Sequence, residues 1–195
     1  MKKNPEKQQI TKSALKNAFW TLYQDKPIEK VTVQEIAKLA EYNRSTFYQY
    51  YSDVYAVLDE IENDVIKDWE LLIFEIPIND AINQHKISEI VIETIAAFYE
   101  RNGIYISVLL SPKGDPSFIR RFKDVMRHKI FSILQIPNDN IEVSLIFEFL
   151  SSGMLAFFTA WYLNARCISS KDAVILLHSL LFEDKLKVLL GKISD

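Results

Sequence analysis

Within six positions, 44 to 49, the chain gathers Arg44, Ser45, Tyr48 and Gln49, side chains that can reach base edges or phosphate oxygens. Arg44 stands where a short helix would open, and a cation there opposes the helix dipole. Contact with a phosphate or a guanine would account for it. Other chemistries find little support. His85, His128 and His178 are far apart and in no metal-ligand spacing, and Cys167 is the single cysteine. Each histidine reads more simply as a surface or satisfied helix residue. There is no Gly-rich phosphate loop, no nucleophile elbow and no tight carboxylate pair beside a base. No metal, cofactor or catalytic residue is expected.

The elements that must position these residues can be read on either side of them. Ile10, Ala14, Leu15, Ala18, Phe19, Leu22 and Tyr23 make one helical stripe that ends before Pro27. Thr32 and Glu35 have capping-box spacing and open a short helix with a small apolar face of Ile36, Ala37 and Ala40. Asn43 or Arg44 opens a second short helix, with Phe47 and Tyr51 facing inward. Two short helices joined by about three residues, with small side chains where they cross, form a helix-turn-helix over about 32–51. Ser52-Asp53 then caps a long helix whose stripe is Val54, Val57, Leu58, Ile61, Val65, Trp69 and Leu72.

Pro77 closes that helix, and more helices follow. Ile87 to about Tyr99 is amphipathic, with Gly103 expected to break it before a short apolar piece, 104–110. The turn cluster SPKGDP precedes a helix marked by Phe118, Phe122, Val125, Met126, Ile130, Ile133 and Leu134. Ile141 to about Arg166 and Lys171 to about Leu190 are the last two, apolar on more than one face. The fold class is therefore all-α. A three-helix head, residues 7–53, precedes a body of about six helices, residues 54–195.

Composition agrees. Apolar residues make up 49% of the chain, with only four Gly and six Pro to punctuate it. The basic N-terminus is followed by no apolar run that would make a signal peptide. Residues 145–163 approach membrane-spanning length, but Glu148, Ser151, Ser152 and Thr159 interrupt them, which favours a buried interface helix over a span. The formal charge of −3 is uneven: residues 1–53 hold nine Lys/Arg against six acids, a net +3, leaving −6 for the rest. A basic head on an acidic body points to a polyanionic partner for the head.

The run IEKVTVQEIAKLAEYNRSTFYQYYSDVYAVL resembles the TetR-type transcriptional regulators through Thr32, Val33, Glu35, Ile36, Ala37, Ala40, Ser45, Thr46, Phe47, Tyr48, Tyr50, Tyr51 and Leu58. With the helix before it, the resemblance covers residues 7–60. Three positions depart from the pattern. Glu41 replaces the turn glycine, which shifts the left-handed turn or passes it to Tyr42 or Asn43. Tyr42 replaces an apolar turn residue. Val54 replaces a lysine that touches phosphate, a contact left missing or supplied by Lys30 or the N-terminal lysines. The segment ISVLLSPKGDPSFIRRFKDVM resembles the C-terminal region of a Gram-positive subgroup with a G-D-P-x-F element.

The resemblance implies that Arg44, Ser45, Tyr48 and Gln49 read bases in the major groove of double-stranded DNA. Thr32, Gln34, Thr46 and Tyr50 would hold phosphates. Tyr48 and Tyr50 also fit as core aromatics. It implies further a cytoplasmic bacterial homodimer, a repressor on a palindromic operator, released by a small, mostly apolar effector. Trp69, Phe74, Phe98, Tyr99, Tyr105, Phe122 and Met126 are the pocket residues, or else simply core. Phe149, Met154, Phe157, Phe158, Trp161, Leu177 and Leu181 are the dimer contacts. Two alternatives stand beside this reading. One is a regulator or activator of the same fold controlled by a protein partner, distinguished by a body whose cavity is filled with side chains. The other is a helical enzyme, for which the body lacks convergent polar groups.

Overall fold

A computed structural model describes residues 5–77, 87–111, 114–137, 139–164 and 167–182. His85, Arg166 and the stretch of the final helix towards Leu190 lie outside them. The described residues contain eight α-helices and no strand: α1 (Pro5–Asp25), α2 (Val33–Leu39), α3 (Arg44–Phe47), α4 (Val54–Glu75), α5 (Glu89–Leu109), α6 (Pro116–Leu134), α7 (Ile141–Leu163) and α8 (Ser170–Phe182). The chain divides inside α4, into one compact unit up to Asp64 and a second from Val65 onward. The sequence pattern had put this division at the start of the helix. The first turns of α4 instead belong to the head, because Val57, Leu58 and Ile61 are buried there.

In the first unit, α2 packs on α1 and on α3. The buried stripe of α1 runs through Thr11, Leu15, Ala18, Phe19, Trp20 and Tyr23. Ile10, expected in that stripe, is exposed, and Thr11 takes its place by returning its hydroxyl to the Lys7 carbonyl at 2.9 Å. That local bond lets a hydroxyl occupy an apolar face without an unsatisfied donor. All seven stripe positions of α4, from Val54 to Leu72, are buried as expected.

In the second unit, α5 packs against both α7 and α8. It is one continuous helix, so Gly103 does not break it. A Cβ at Gly103 would lie 2.7 Å from the Tyr162 ring of α7, and the glycine is there to let that ring approach. The G-D-P-x-F element is a helix-start device. Gly114 sits where a Cβ would come within 2.0 Å of the Leu109 carbonyl oxygen. Asp115 accepts from the Ser117 amide at 2.8 Å, Pro116 takes the first turn of α6, and Phe118 enters the core. The charge that interrupts the apolar α7 is absorbed locally, because Glu148 accepts a hydrogen bond from Lys123 of α6.

Two substitutions test these close contacts. Alanine is favoured over glycine in a helix by about 1 kcal/mol. In a Tyr162→Ala background, Gly103→Ala should therefore raise denaturant stability by about that amount, whereas beside the native Tyr162 the gain should vanish or reverse. Equal effects in both backgrounds would refute the close-approach role. At Glu41, φ is 60°, a conformation that disfavours a side chain. Glu41→Gly should stabilise the first unit by up to about 1 kcal/mol in urea titrations, and a loss of stability would count against strain at the turn.

Candidate DNA-contacting site

The helix-turn-helix is assembled from local rules. Thr32 caps α2 in a reciprocal box: its hydroxyl accepts from the Glu35 amide at 3.3 Å, while Glu35 accepts from the Thr32 amide at 3.1 Å. Lys26 adds a 2.6 Å ion pair to Glu35. The hydrogen bond from Lys26, followed by those from Thr32, holds the Glu35 carboxyl down at about 2. At the other end of α2, Glu41 itself carries the left-handed turn. The Tyr42 amide reaches back to the Ala37 carbonyl at 2.8 Å and the Glu41 amide to Lys38 at 3.2 Å, a Schellman closure made without glycine. Asn43 then precedes α3 in extended conformation.

The four-residue α3 keeps Phe47 fully buried and turns Arg44 and Ser45 outward. Tyr48, Gln49 and Tyr50 lie just past it in a tight turn, in which the Gln49 amide bonds Thr46 and the Tyr50 amide bonds Phe47. Tyr48 is 52% exposed with its ring edge-on to Phe47, so it is not a core aromatic. Gln34, Arg44, Ser45, Tyr48 and Gln49 are all exposed on this unit, and Thr46 and Tyr50 are half-buried. Thr32 is exposed too, but its hydroxyl proton goes to Glu35 at 2.8 Å. A phosphate would have to compete for it. Val54 is buried, so it offers DNA nothing in place of the lysine it replaces.

Not every cation of the basic head is available to a polyanion. Lys12 pairs with Glu60 at 2.8 Å; Lys16 pairs with Glu60 at 3.4 Å and with Asp64 at 2.6 Å. Lys26 is held by Glu35. Among the described residues, Lys30, Lys38 and Arg44 hold no such ion pair. Lys38, four residues from Gln34 and hence on the same face of α2, was missed by the sequence reading; its i, i+4 spacing from Gln34 was the signal. Also missed was the cluster around Glu60, which joins residues 48 positions apart.

The second unit places the remaining assignments. Trp69, Phe98, Tyr99, Phe122 and Met126 are buried, and the four aromatics among them pack on one another or on neighbouring rings. Trp69 meets Phe122 edge-on, Phe122 stacks on Phe118, and Tyr99 stacks on Phe158 with centroids 3.5 Å apart. Phe74 is 70% exposed beneath the Lys129 ammonium, and Tyr105 is half-buried. Phe74 therefore lines no interior. A small apolar cavity of about 190 Å³ opens elsewhere, lined by Val91, Ile95, Met154, Phe158, Leu177 and His178 among others.

Of the residues expected at a dimer contact, Phe158 is 2% exposed, and Trp161 is buried with its indole N–H on the Ile168 carbonyl at 2.9 Å. Both are core of a single chain, because the stack on Tyr99 and the indole hydrogen bond turn them inward. Phe149 is 77% exposed; Met154, Phe157 and Leu177 are half-buried, and Leu181 is exposed. Phe149 shares its face of α7 with Leu145, Gly153, Ala156, Ala160 and Leu163 at intervals of three and four, all of them exposed.

The family model for bacterial regulatory proteins of the tetR family matches residues 17–61, and that for a transcriptional regulator C-terminal region of TetR type matches residues 82–183. An uncharacterised HTH-type transcriptional regulator of Bacillus subtilis strain 168, YxbF, is 24% identical over 162 residues, 82% of this chain; the chain spans only 41% of that relative's length. A TetR transcriptional regulator from Streptococcus agalactiae superposes with a TM-score of 0.59 at 24% identity, over 91% of this chain and 97% of that one. The dihydroxyacetone kinase operon activator DhaS does so with a TM-score of 0.51 at 19% identity, over 94% and 96%. With the helix-turn-helix head and the helical body each matched by its own family model, the chain belongs to the TetR family of transcriptional regulators.

Proposed function

We infer that the chain works in the cytoplasm as a homodimer that binds a palindromic operator and represses transcription until a small apolar effector releases it. The observation that carries the DNA reading is the outward face of the helix-turn-helix, where Arg44, Ser45, Tyr48 and Gln49 are exposed together. Arg44 and Gln49 have the geometry for paired hydrogen bonds to guanine and adenine. Thr32, Gln34, Thr46 and Tyr50 would hold phosphates, joined by the exposed Lys38 of α2.

The dimer reading rests on α7. Its exposed row of Leu145, Phe149, Gly153, Ala156, Ala160 and Leu163 is bulky at both ends and small in the middle, and a second copy related by a two-fold axis is its natural cover. Such a pair matches the symmetry of a palindromic operator. For the effector, the cavity beside Met154, Phe158, Leu177 and His178 offers apolar walls and one imidazole.

One observation favours a second reading, an activator or co-regulator controlled by a protein partner. The aromatics that would line a central pocket fill that space with one another, and DhaS, named an operon activator, shares the fold. Release of operator by apolar compounds in a fluorescence assay supports the effector reading. Transcriptional activation on adding a partner, with no response to compounds, supports the other.

Two variants test the assignments. Arg44→Ala should cost about 1–3 kcal/mol of operator affinity and relax base preference while leaving the dimer intact. Wild-type operator binding in this variant would sink the recognition register. Phe149→Asp should yield a folded monomer in sedimentation, with operator affinity down at least about tenfold. A persistent dimer would show that α7 is not the interface.

A further inference from the structure

α3 is a single turn and cannot hold its own geometry. Phe47 sets its depth, but one buried ring leaves the turn free to rock about that point. Tyr51 supplies the second tether. Its amide bonds the Phe47 carbonyl at 3.0 Å, and its ring lies against Phe47 at 5.7 Å between centroids. The Lys12 ammonium sits 5.5 Å from the Tyr51 ring centre and also pairs with Glu60. The phenol oxygen is buried without a hydrogen-bond partner among the described residues, so the Lys12 ammonium, which meets both the ring and Glu60, is the link from Tyr51 to the acid. Burial, followed by the Glu60 and Asp64 carboxylates, pushes this phenol up. Glu60 thus stands where α1, α4 and the end of the recognition turn meet.

We propose that Glu60 is a positioning residue for DNA recognition: by holding Lys12 and Lys16 of α1, with the Lys12 ammonium also over the Tyr51 ring, it fixes the angle at which α3 is presented. The energies favour this over a stabilising role. These ion pairs are partly solvated, and such pairs add little to stability. What they supply is direction, since Glu60 is shared by two lysines on successive turns of α1, and Lys16 reaches on to Asp64 one turn along α4. Two anchors on each helix set both their rotation and their register. The proposal rests on the reading of α3 as the base-contacting element.

The test uses the full-length protein, well below its melting temperature, with a duplex selected by the wild-type protein from random sequence and with a non-selected duplex of equal length. Lys12→Gln removes the cation that joins the Tyr51 ring to Glu60. Loss of one charge alone would weaken both duplexes alike; positioning predicts a further loss of about three- to tenfold on the selected duplex, and equal losses on both would overturn it. Glu60→Gln removes a negative charge and frees Lys12, while Lys16 keeps Asp64, so charge alone would tighten both duplexes. Positioning predicts the reverse for the selected duplex, a loss of about three- to tenfold, and the double variant should discriminate between the duplexes little worse than Glu60→Gln alone. A melting shift with unchanged affinity for the selected duplex in either variant would mean that the cluster is only structural, and overturns the proposal. Loss in Arg44→Ala without loss in these variants overturns the positioning role alone. No loss in any of the three overturns the recognition register beneath it.

Discussion

The burial of Phe47 is the contact on which the head depends. The one-turn α3 has only two helical hydrogen bonds, Phe47 to Asn43 and Tyr48 to Arg44, to set against the entropy of ordering it, so in isolation it would be a minor conformer. What keeps α3 folded is therefore external: the Phe47 ring, fully buried, and the backbone returns from Tyr50 and Tyr51 to its carbonyl. This explains why the outward residues can be so polar. Arg44 and Ser45 contribute nothing to holding the turn, and so are free to be chosen for what they meet outside. The same division governs α2, where Ile36 and Ala37 face in and Gln34 and Lys38 face out.

Charge follows a similar division of labour. A net +3 over residues 1–53 suggests a uniformly attractive surface for a polyanion, but three of those cations are occupied by acids within the same unit. Two of the acids, Glu60 and Asp64, lie on α4, outside the stretch over which the charge was counted. The attraction is thereby concentrated on fewer positions among the described residues, Lys7 near the start of α1 and Lys30, Lys38 and Arg44 beside or within the helix-turn-helix. A focused positive face does more to orient an approaching duplex than the same charge spread over the unit.

Much of this was legible in the sequence, and the failures have identifiable causes. The α4 stripe, the Thr32–Glu35 box and the Asn43 boundary of α3 all rest on spacing within a few residues, which the chain displays openly. Gly103 was misread because composition cannot distinguish a glycine that turns the backbone from one that admits a neighbour's ring. Glu41 is the converse, a left-handed turn with no glycine to announce it, held by two backbone hydrogen bonds and by the burial on either side. Phe158 and Trp161 were placed outward because α7 is apolar on every face, and periodicity then gives no way to choose the inner one. The Glu60 cluster was invisible for another reason: ion pairs between residues far apart in sequence follow from the packing and leave no local trace.

That ambiguity in α7 is itself informative. A helix buried on one side needs only one apolar stripe, and polar residues are the default elsewhere. Here the inner stripe of Ser151, Leu155, Phe158 and Trp161 is matched by an outer row headed by Leu145 and Phe149. Glu148, which would spoil a membrane-facing surface, is drawn towards Lys123 on α6 and leaves that outer row uncharged. The row also narrows to Gly153, where an added Cβ would meet nothing within 4 Å. Lipid would place no premium on such a taper, whereas a second helix crossing at an angle needs small residues where the backbones approach and large ones where they diverge. The outer face of α7 therefore has the shape of one half of a helix pair, and it is the reason to expect that the DNA-binding head works in twos.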